Sequence, residues 1–205
     1  EIAFLNAGFD IELVDERADK SARYHFEGGI REFVGVLNKN RTALHDEVVY
    51  LHEDKDGVDV EIALQWSDSY AEAISCFTNN VHNRDGGTHL TGMRAALTRT
   101  INAYGQHANL LKDLKQPLSG EDVREGLTAI LSVKHPDPSF DSQTKSKLVS
   151  SEVKGIVESV VNDRLSIYLE EHPQAAKKII DKTVLAARAR EAARKARENV
   201  QRKGA

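Results

Sequence analysis

The stretch 135–152, HPDPSFDSQTKSKLVSSE, centres on Gln143-Thr144-Lys145. A lysine ammonium is a compact charge with three donors, a chemistry suited to a terminal phosphate. Gln143 adds a neutral amide donor. A helix expected to start at Ser150 or Ser151 would bring a positive dipole end nearby. The plainer reading is a solvated loop lysine. Spacing alone favours it, because no acid–base pair, Gly-rich phosphate loop or metal ligand set accompanies the loop. Arg94 and Arg99 pose the same choice on a helix. Leu90, Met93, Leu97 and Ile101 form an apolar stripe, Arg94 falls at its edge, and Thr91, Thr98 and Asn102 lie on the polar side. Such an arginine usually snorkels; the alternative is that it faces a polyanion.

Other constellations are weaker. Gly28-Gly29 and Gly86-Gly87 each precede an expected helix, where backbone amides can cradle a phosphate. Neither completes G-x-x-x-x-G-K-[ST] or G-x-G-x-x-G, so a tight strand-to-helix turn is favoured. Asp54-x-Asp56-Gly57-x-Asp59 suggests a calcium loop, but such a loop needs Gly at position 6 and Glu at 12. Counted from Asp54, Gly57 is at position 4 and Gln65 at 12, which leaves a hairpin turn. Eight histidines occur without an H-x-x-x-H pair or a cysteine cluster; His45 and His52 fall on a loop and a strand, and no zinc site is expected. The single cysteine, Cys76, excludes an internal disulfide, argues weakly for a reducing compartment and reads as a small core residue.

These residues need elements to position them. The 205 residues, with 40% hydrophobic and 29% charged content, suffice for one globular domain with or without an appendage. No apolar run approaches a membrane span, and no signal peptide is visible. The opening EIAFL and the closing QRKGA both read as interior positions of a longer chain. Strands are expected at 9–14, 23–26, 47–52, 58–66 and 74–78. In 58–66, Val58, Val60, Ile62, Leu64 and Trp66 alternate with Asp59, Glu61, Ala63 and Gln65, predicting one buried and one largely polar face. Ile30, Phe33, Val34 and Leu37 predict a helix. Thr88 is the expected N-cap of a long helix reaching Ala108, and Ser119 with Asp122 starts a short one. LTAILSV (127–133) reads as a buried strand. An amphipathic helix over 153–169 ends at Pro173, which opens a last helix to about Arg197. Strands first and helices later, with one buried strand between, predict an α+β fold: a sheet with helices mainly on one face. From residue 173 onward ten Lys/Arg face three Asp/Glu, a net of +7, so the rest of a chain of net charge −4 carries −11. A basic helix on an acidic body is a solvated face, a nucleic-acid contact or an interdomain connector.

RDGGTHLTGMRAALTRTINAY (84–104), FDSQTKSKLVSSEVK (140–154) and ARAREAARKARE (187–198), supported by FEGGIREFVGVLNKN (26–40) and VEIALQW (60–66), resemble the B subunits of bacterial DNA gyrases. The resemblance spans essentially the whole chain and corresponds to the family's transducer domain. Met93 stands where that family often has Phe, and 105–118 is variable. The resemblance implies a fold like domain 2 of ribosomal protein S5 with a left-handed βαβ connection, 1–172 as the transducer and 173–205 as a connector helix. It implies that Gln143 and Lys145 enter the ATP pocket of a preceding GHKL domain, Lys145 contacting the γ-phosphate as a catalytic residue, and that Arg94 faces DNA between paired transducers. Also implied are a following TOPRIM domain, the gyrase A subunit, a homodimer of B subunits within an A2B2 complex, DNA, ATP with Mg2+ in the full-length protein, no cofactor bound by this fragment alone, and a cytoplasmic location. The fragment alone is expected to be inactive. Topoisomerase IV, the mismatch-repair protein MutL, and a non-enzymatic nucleic-acid-binding module with an S5-like fold stay open as alternatives.

Overall fold

The computed structural model describes residues 1–203; Gly204 and Ala205, the end of the expected connector, lie outside the described residues. The elements are α1 (Ile2–Leu5), β1 (Ile11–Asp15), β2 (Lys20–Tyr24), α2 (Gly29–Leu37), β3 (Val49–Lys55), β4 (Val58–Trp66), β5 (Ala73–Thr78), β6 (Val81–His82), α3 (Thr88–His107), α4 (Gly120–Arg124), β7 (Leu127–Lys134), α5 (Ser151–Glu171) and α6 (Pro173–Lys203). Turn chemistry sets the hairpins. Asp56 and Gly57, at φ 53° and 75°, close β3 onto β4, and Asn79 and Asn80, at 48° and 65°, close β5 onto β6. Left-handed backbone at both central residues matches the twist of paired strands. β1 and β2 form a separate hairpin. The strands expected at 9–14 and 23–26 are found at 11–15 and 20–24: Asp15 Oδ1 accepts from the backbone N–H groups of Arg17 and Ala18 and fixes a turn that starts the second strand at Lys20, and pairing ends where Ile11 meets Tyr24.

The main sheet runs β3-β4-β7-β5-β6. β7 lies antiparallel to β4 and parallel to β5, and the chain reaches it from β5 through β6, α3 and α4. Inserted centrally, β7 is buried from Leu127 to Val133. α3, α5 and the first half of α6 cover one face, enclosing Val60, Ile62, Leu64, Trp66, Leu97 and Val157. Each such large side chain contributes about 1.5–3 kcal/mol through burial. The Trp66 indole N–H donates to the Val123 carbonyl at 2.9 Å, so its polar atom is satisfied inside the core. α3 and α5 approach closely at Gly92, where a Cβ would run into the Lys154 carbonyl.

The opposite face departs from the expected polar surface. α1 and α2 cover its upper half with Leu5, Ile30, Phe33 and Val34, which pack on Ala63, Phe77 and Ile130. Gln65 is buried there too, because it accepts from Asn38 Nδ2 at 2.9 Å and donates to the His45 carbonyl. Asp59 and Glu61, beyond the reach of α2, stay partly exposed. Leu37, expected on the apolar side of its helix, is 41% exposed. The helix ends at that point, and Asn38 takes the inward position. Ser119 and Asp122 form a capping box on α4, as the sequence predicts. Thr88 is not the cap of α3. Gly87 occupies that place, and the Thr88 hydroxyl is buried without a partner.

The first half of α6 belongs physically to the core through Ala176, Ile179 and Ile180. Further along, Arg190 makes a two-pronged bond to Asp122, 2.9 Å to each oxygen. Burial alone would raise the Asp122 carboxyl, but Arg190 and the Ser119 donors hold it below the ordinary value. Among the described residues no helix is long and apolar enough to cross a membrane.

Candidate functional site

Gln143, Thr144 and Lys145 lie on an exposed loop between two pinned ends. Phe140 pairs with Leu148, and Leu148 also pairs with Gly87, so the loop closes onto the start of α3. Within it, Lys145 N–H donates to the Ser142 carbonyl at 3.0 Å, and the Ser142 and Thr144 hydroxyls meet at 2.8 Å. Lys145 has φ 55°, a left-handed conformation that L-residues other than Asn and Asp rarely adopt. Its carbonyl accepts from Asn83 Nδ2 at 2.8 Å, and the Ser146 carbonyl accepts from Asp85 N–H at 2.9 Å. The Lys145 ammonium sits 5.8 Å from the Phe140 ring centroid and enters no ion pair among the described residues. The backbone is therefore fixed while the charge is free.

A cleft of about 570 Å³ opens elsewhere, between residues 113–116 and α6, with Arg188, Arg190, Arg194 and Lys195 in its walls; neither Gln143 nor Lys145 lines it. The Gln143–Lys145 donors point outward, toward whatever is brought to them. They are amide and ammonium groups, which suit an anion; a magnesium ion would need oxygen ligands.

Neither glycine pair is open to a phosphate. Gly28 N–H donates to Glu32 Oε2 at 3.3 Å. At the second pair, Thr88 N–H donates to the Leu148 carbonyl at 3.0 Å and Leu148 N–H to the Gly86 carbonyl at 3.1 Å. Gly87, at φ 139°, lets the Leu148 backbone pass where any side chain would collide with its carbonyl. The start of α5 behaves similarly. The Ser150 hydroxyl accepts from the Ser139 N–H, and Glu152 in the first turn meets His135 at 3.0 Å.

Arg94 reaches Glu72 at 2.5 Å, and Arg124 binds the other Glu72 oxygen at 2.7 Å. The Arg94 Nε is buried without a partner. The stripe-edge position read from spacing is thus occupied by a guanidinium locked in a shared ion pair. Arg99, further along α3, bridges to Asn162 and Glu158 on α5.

Sequence reasoning missed the side chains beneath the loop. Asn83 and His89 are buried, joined by a 3.1 Å bond. Burial pushes the His89 imidazole down to about 4. No spacing rule flags them, because Asn83 meets the Lys145 carbonyl, and His89 meets Asn83, only through the fold. It also missed a grouping of His52 with Asp59 and Glu61, whose ligating atoms lie within 4.8 Å of one another; hairpin register alone unites them. His52 Nε2 lies 2.6 Å from Asp59 Oδ1, a hydrogen-bonded pair. His45 Nε2 accepts from Trp66 N–H at 3.1 Å and its Nδ1 meets the Glu47 carbonyl, so neither nitrogen is available to a metal. Cys76 is buried and its thiol is pushed up to about 12 by burial, the state of an inert core residue.

The family model described as DNA gyrase B matches residues 29–199. The chain is 55% identical over its whole length to the DNA gyrase B subunit of Haloferax lucentense, and 48% identical to that of Staphylococcus aureus. In each case it spans about a third, 32%, of the relative's length. Among solved structures, it resembles the 43K ATPase domain of Thermus thermophilus gyrase B in complex with an aminocoumarin, with TM-score 0.87 and 36% identity, covering 96% of this chain and 53% of that one. It also resembles the ATP-binding domain of Francisella tularensis topoisomerase IV in complex with a small-molecule inhibitor, with TM-score 0.78 and 25% identity, covering 92% of this chain and 50% of that one. Both similarities carry the mixed α+β fold found here, and the family match carries most of the sequence that builds it. The chain belongs to the DNA gyrase B family.

Proposed function

We propose that this chain is the transducer of the B subunit of a gyrase, an S5-like α+β domain that couples ATP hydrolysis in a neighbouring GHKL domain to DNA strand passage and negative supercoiling. The observation that carries the reading is the Gln143–Lys145 loop: a free ammonium on a backbone held in a rare conformation. ATP bound next door offers a terminal phosphate. Lys145, with Gln143 as a neutral donor, reaches it in one relative arrangement of the two domains. The nucleotide stabilises that arrangement by differential contact, and the lysine stabilises charge as the phosphoryl group passes to water. Hydrolysis removes the contact and the domains relax. Magnesium accompanies ATP; its ligands are assigned to the rest of the full-length protein, since this loop presents no carboxylate set for it.

In this reading residues 1–172 form the transducer and 173–205 the connector toward a TOPRIM domain, with the first half of the connector seated in the core. Arg94 faces DNA in a cavity between paired B subunits, within an A2B2 assembly that includes the gyrase A subunit, in the cytoplasm. The test is Lys145→Ala in the full-length protein with its partner. ATP binding is retained and hydrolysis falls strongly. Near-normal steady-state turnover sinks the proposal. The topoisomerase IV resemblance sustains one second reading, a transducer of that enzyme. Supercoiling by the reconstituted enzyme, as opposed to relaxation and decatenation alone, separates the two.

A further inference from the structure

Lys145 sits at φ 55°, a left-handed conformation that the Cβ of any L-residue disfavours, so something must hold it. Its carbonyl accepts from Asn83 Nδ2 at 2.8 Å. Asn83 is only 2% exposed. Its own Oδ1 accepts twice, from the Thr78 hydroxyl at 2.6 Å and from His89 Nε2 at 3.1 Å. Its backbone N–H donates to the Cys76 carbonyl at 2.8 Å. With two donors on the oxygen, the amide has one orientation, and its nitrogen faces Lys145. His89 enforces this. Its Nδ1 is buried without a partner, so the single proton of the neutral ring belongs on Nε2, where it has an acceptor.

We propose that Asn83 is a positioning residue for Lys145: its buried amide, oriented by Thr78 and His89, fixes the backbone turn that aims the lysine at a nucleotide phosphate. The inference rests on the reading of Lys145 as a phosphate contact and adds the device that pre-organises it. It links the tip of the β5–β6 hairpin and the first turn of α3 to the loop, so the lysine is located by the sheet rather than by its own flexible stem. Positioning of this kind removes the need to order the loop when nucleotide arrives.

Asn83→Asp is the informative change. It keeps the shape and the acceptor for Thr78 and His89, replaces the amide donor to the Lys145 carbonyl with a carboxylate oxygen that repels it, and adds a negative charge that the Thr78→Val variant below does not. In the full-length protein with its partner, kcat for ATP falls about tenfold while KM moves by less than about threefold. Amides at 142–147 exchange hydrogen faster, while those of β7 keep their protection. Placed on Lys145→Ala, Asn83→Asp adds no further loss of turnover, because it acts only through the lysine. Wild-type turnover in Asn83→Asp beside an impaired Lys145→Ala overturns the inference, as does a loss that multiplies in the double variant. If Lys145→Ala itself turns over normally, the phosphate reading fails, and exchange at 142–147 alone decides positioning. Should Asn83→Asp show no cooperative melt, Thr78→Val, which removes one orienting donor, is read by the same assays. A smaller loss in the same direction is expected, and unchanged turnover with unchanged exchange overturns the inference.

Discussion

Arg94 on α3 and Lys145 on the loop beside that helix's first turn are both cations near one element, yet they are anchored in different ways. Arg94 is held through its side chain. Glu72 binds it and Arg124 together, so two guanidinium groups share one carboxylate and the cluster keeps a net charge of about +1. Lys145 is held through its main chain, by Ser142 and Asn83, and its ammonium is left without a counter-charge. A side-chain anchor neutralises what it locates. A main-chain anchor locates a charge and leaves it available. An anion arriving at Lys145 has no ion pair to break, whereas one arriving at Arg94 competes with Glu72.

The contrast can be broken by experiment. The largest expected effect is on hydrolysis. Lys145→Ala should lower ATP turnover by about 10²–10³-fold, or about 2.7–4 kcal/mol, the scale of losing one charge-stabilising donor in a closed site. Arg94→Gln should leave the basal rate within about twofold in the same assay. Comparable losses from the two would erase the distinction.

Next comes the floor beneath the loop. His89 is folded in its neutral form, with its imidazole pushed from 6.5 down to about 4 by burial. The unfolded chain takes up a proton below 6.5 that the folded chain refuses, so stability falls as pH drops from 6.5 towards 4 and is fully present above 6.5. The window corresponds to about 3 kcal/mol. Thermal melting from pH 7.5 to 4.5 should show this loss, and His89→Gln, which keeps a donor toward Asn83, should flatten it. Equal slopes would remove His89 from the account. Smallest are the effects of the shared carboxylate. Glu72→Gln releases two guanidinium groups and should steepen the salt dependence of DNA-stimulated ATPase by about one unit of slope, while Arg94→Gln reduces it by about one. No change in either variant would take Arg94 away from DNA.

Local rules carried much of this architecture. Asp56-Gly57 closed the hairpin its composition promises, Ser119 and Asp122 formed their capping box, and the alternation of 58–66 marked a strand. The polarity of that strand's second face failed because Ala63 and Gln65 are judged by what covers them, and α2 arrives from about 30 residues upstream. Thr88 failed as a cap for a related reason: the carbonyl that meets the first amide of α3 comes from Leu148, sixty residues later. The candidate site divides in the same way. Lys145 and Gln143 stood out by residue type and by resemblance. Asn83, Thr78 and His89 did not, because a buried amide carries no sequence pattern, and its meaning lies in the carbonyl it faces.

The Asp122–Arg190 bond marks where α6 stops being part of a core and becomes an arm. Thirteen residues lie beyond Arg190 in the described helix, a rod of about 20 Å at the usual rise. A tilt of a few degrees at that fulcrum moves the tip by about 1–2 Å, and the helix delivers the displacement without itself changing shape. At that fulcrum Arg190 meets the buried carboxylate that also caps α4, and Arg188, two residues earlier, lies 3.7 Å from Asp113, so α6 is tied there to α4 and to the loop before it. A rearrangement of α4 would act on the helix at this tie, and the rod beyond it would carry the change outward.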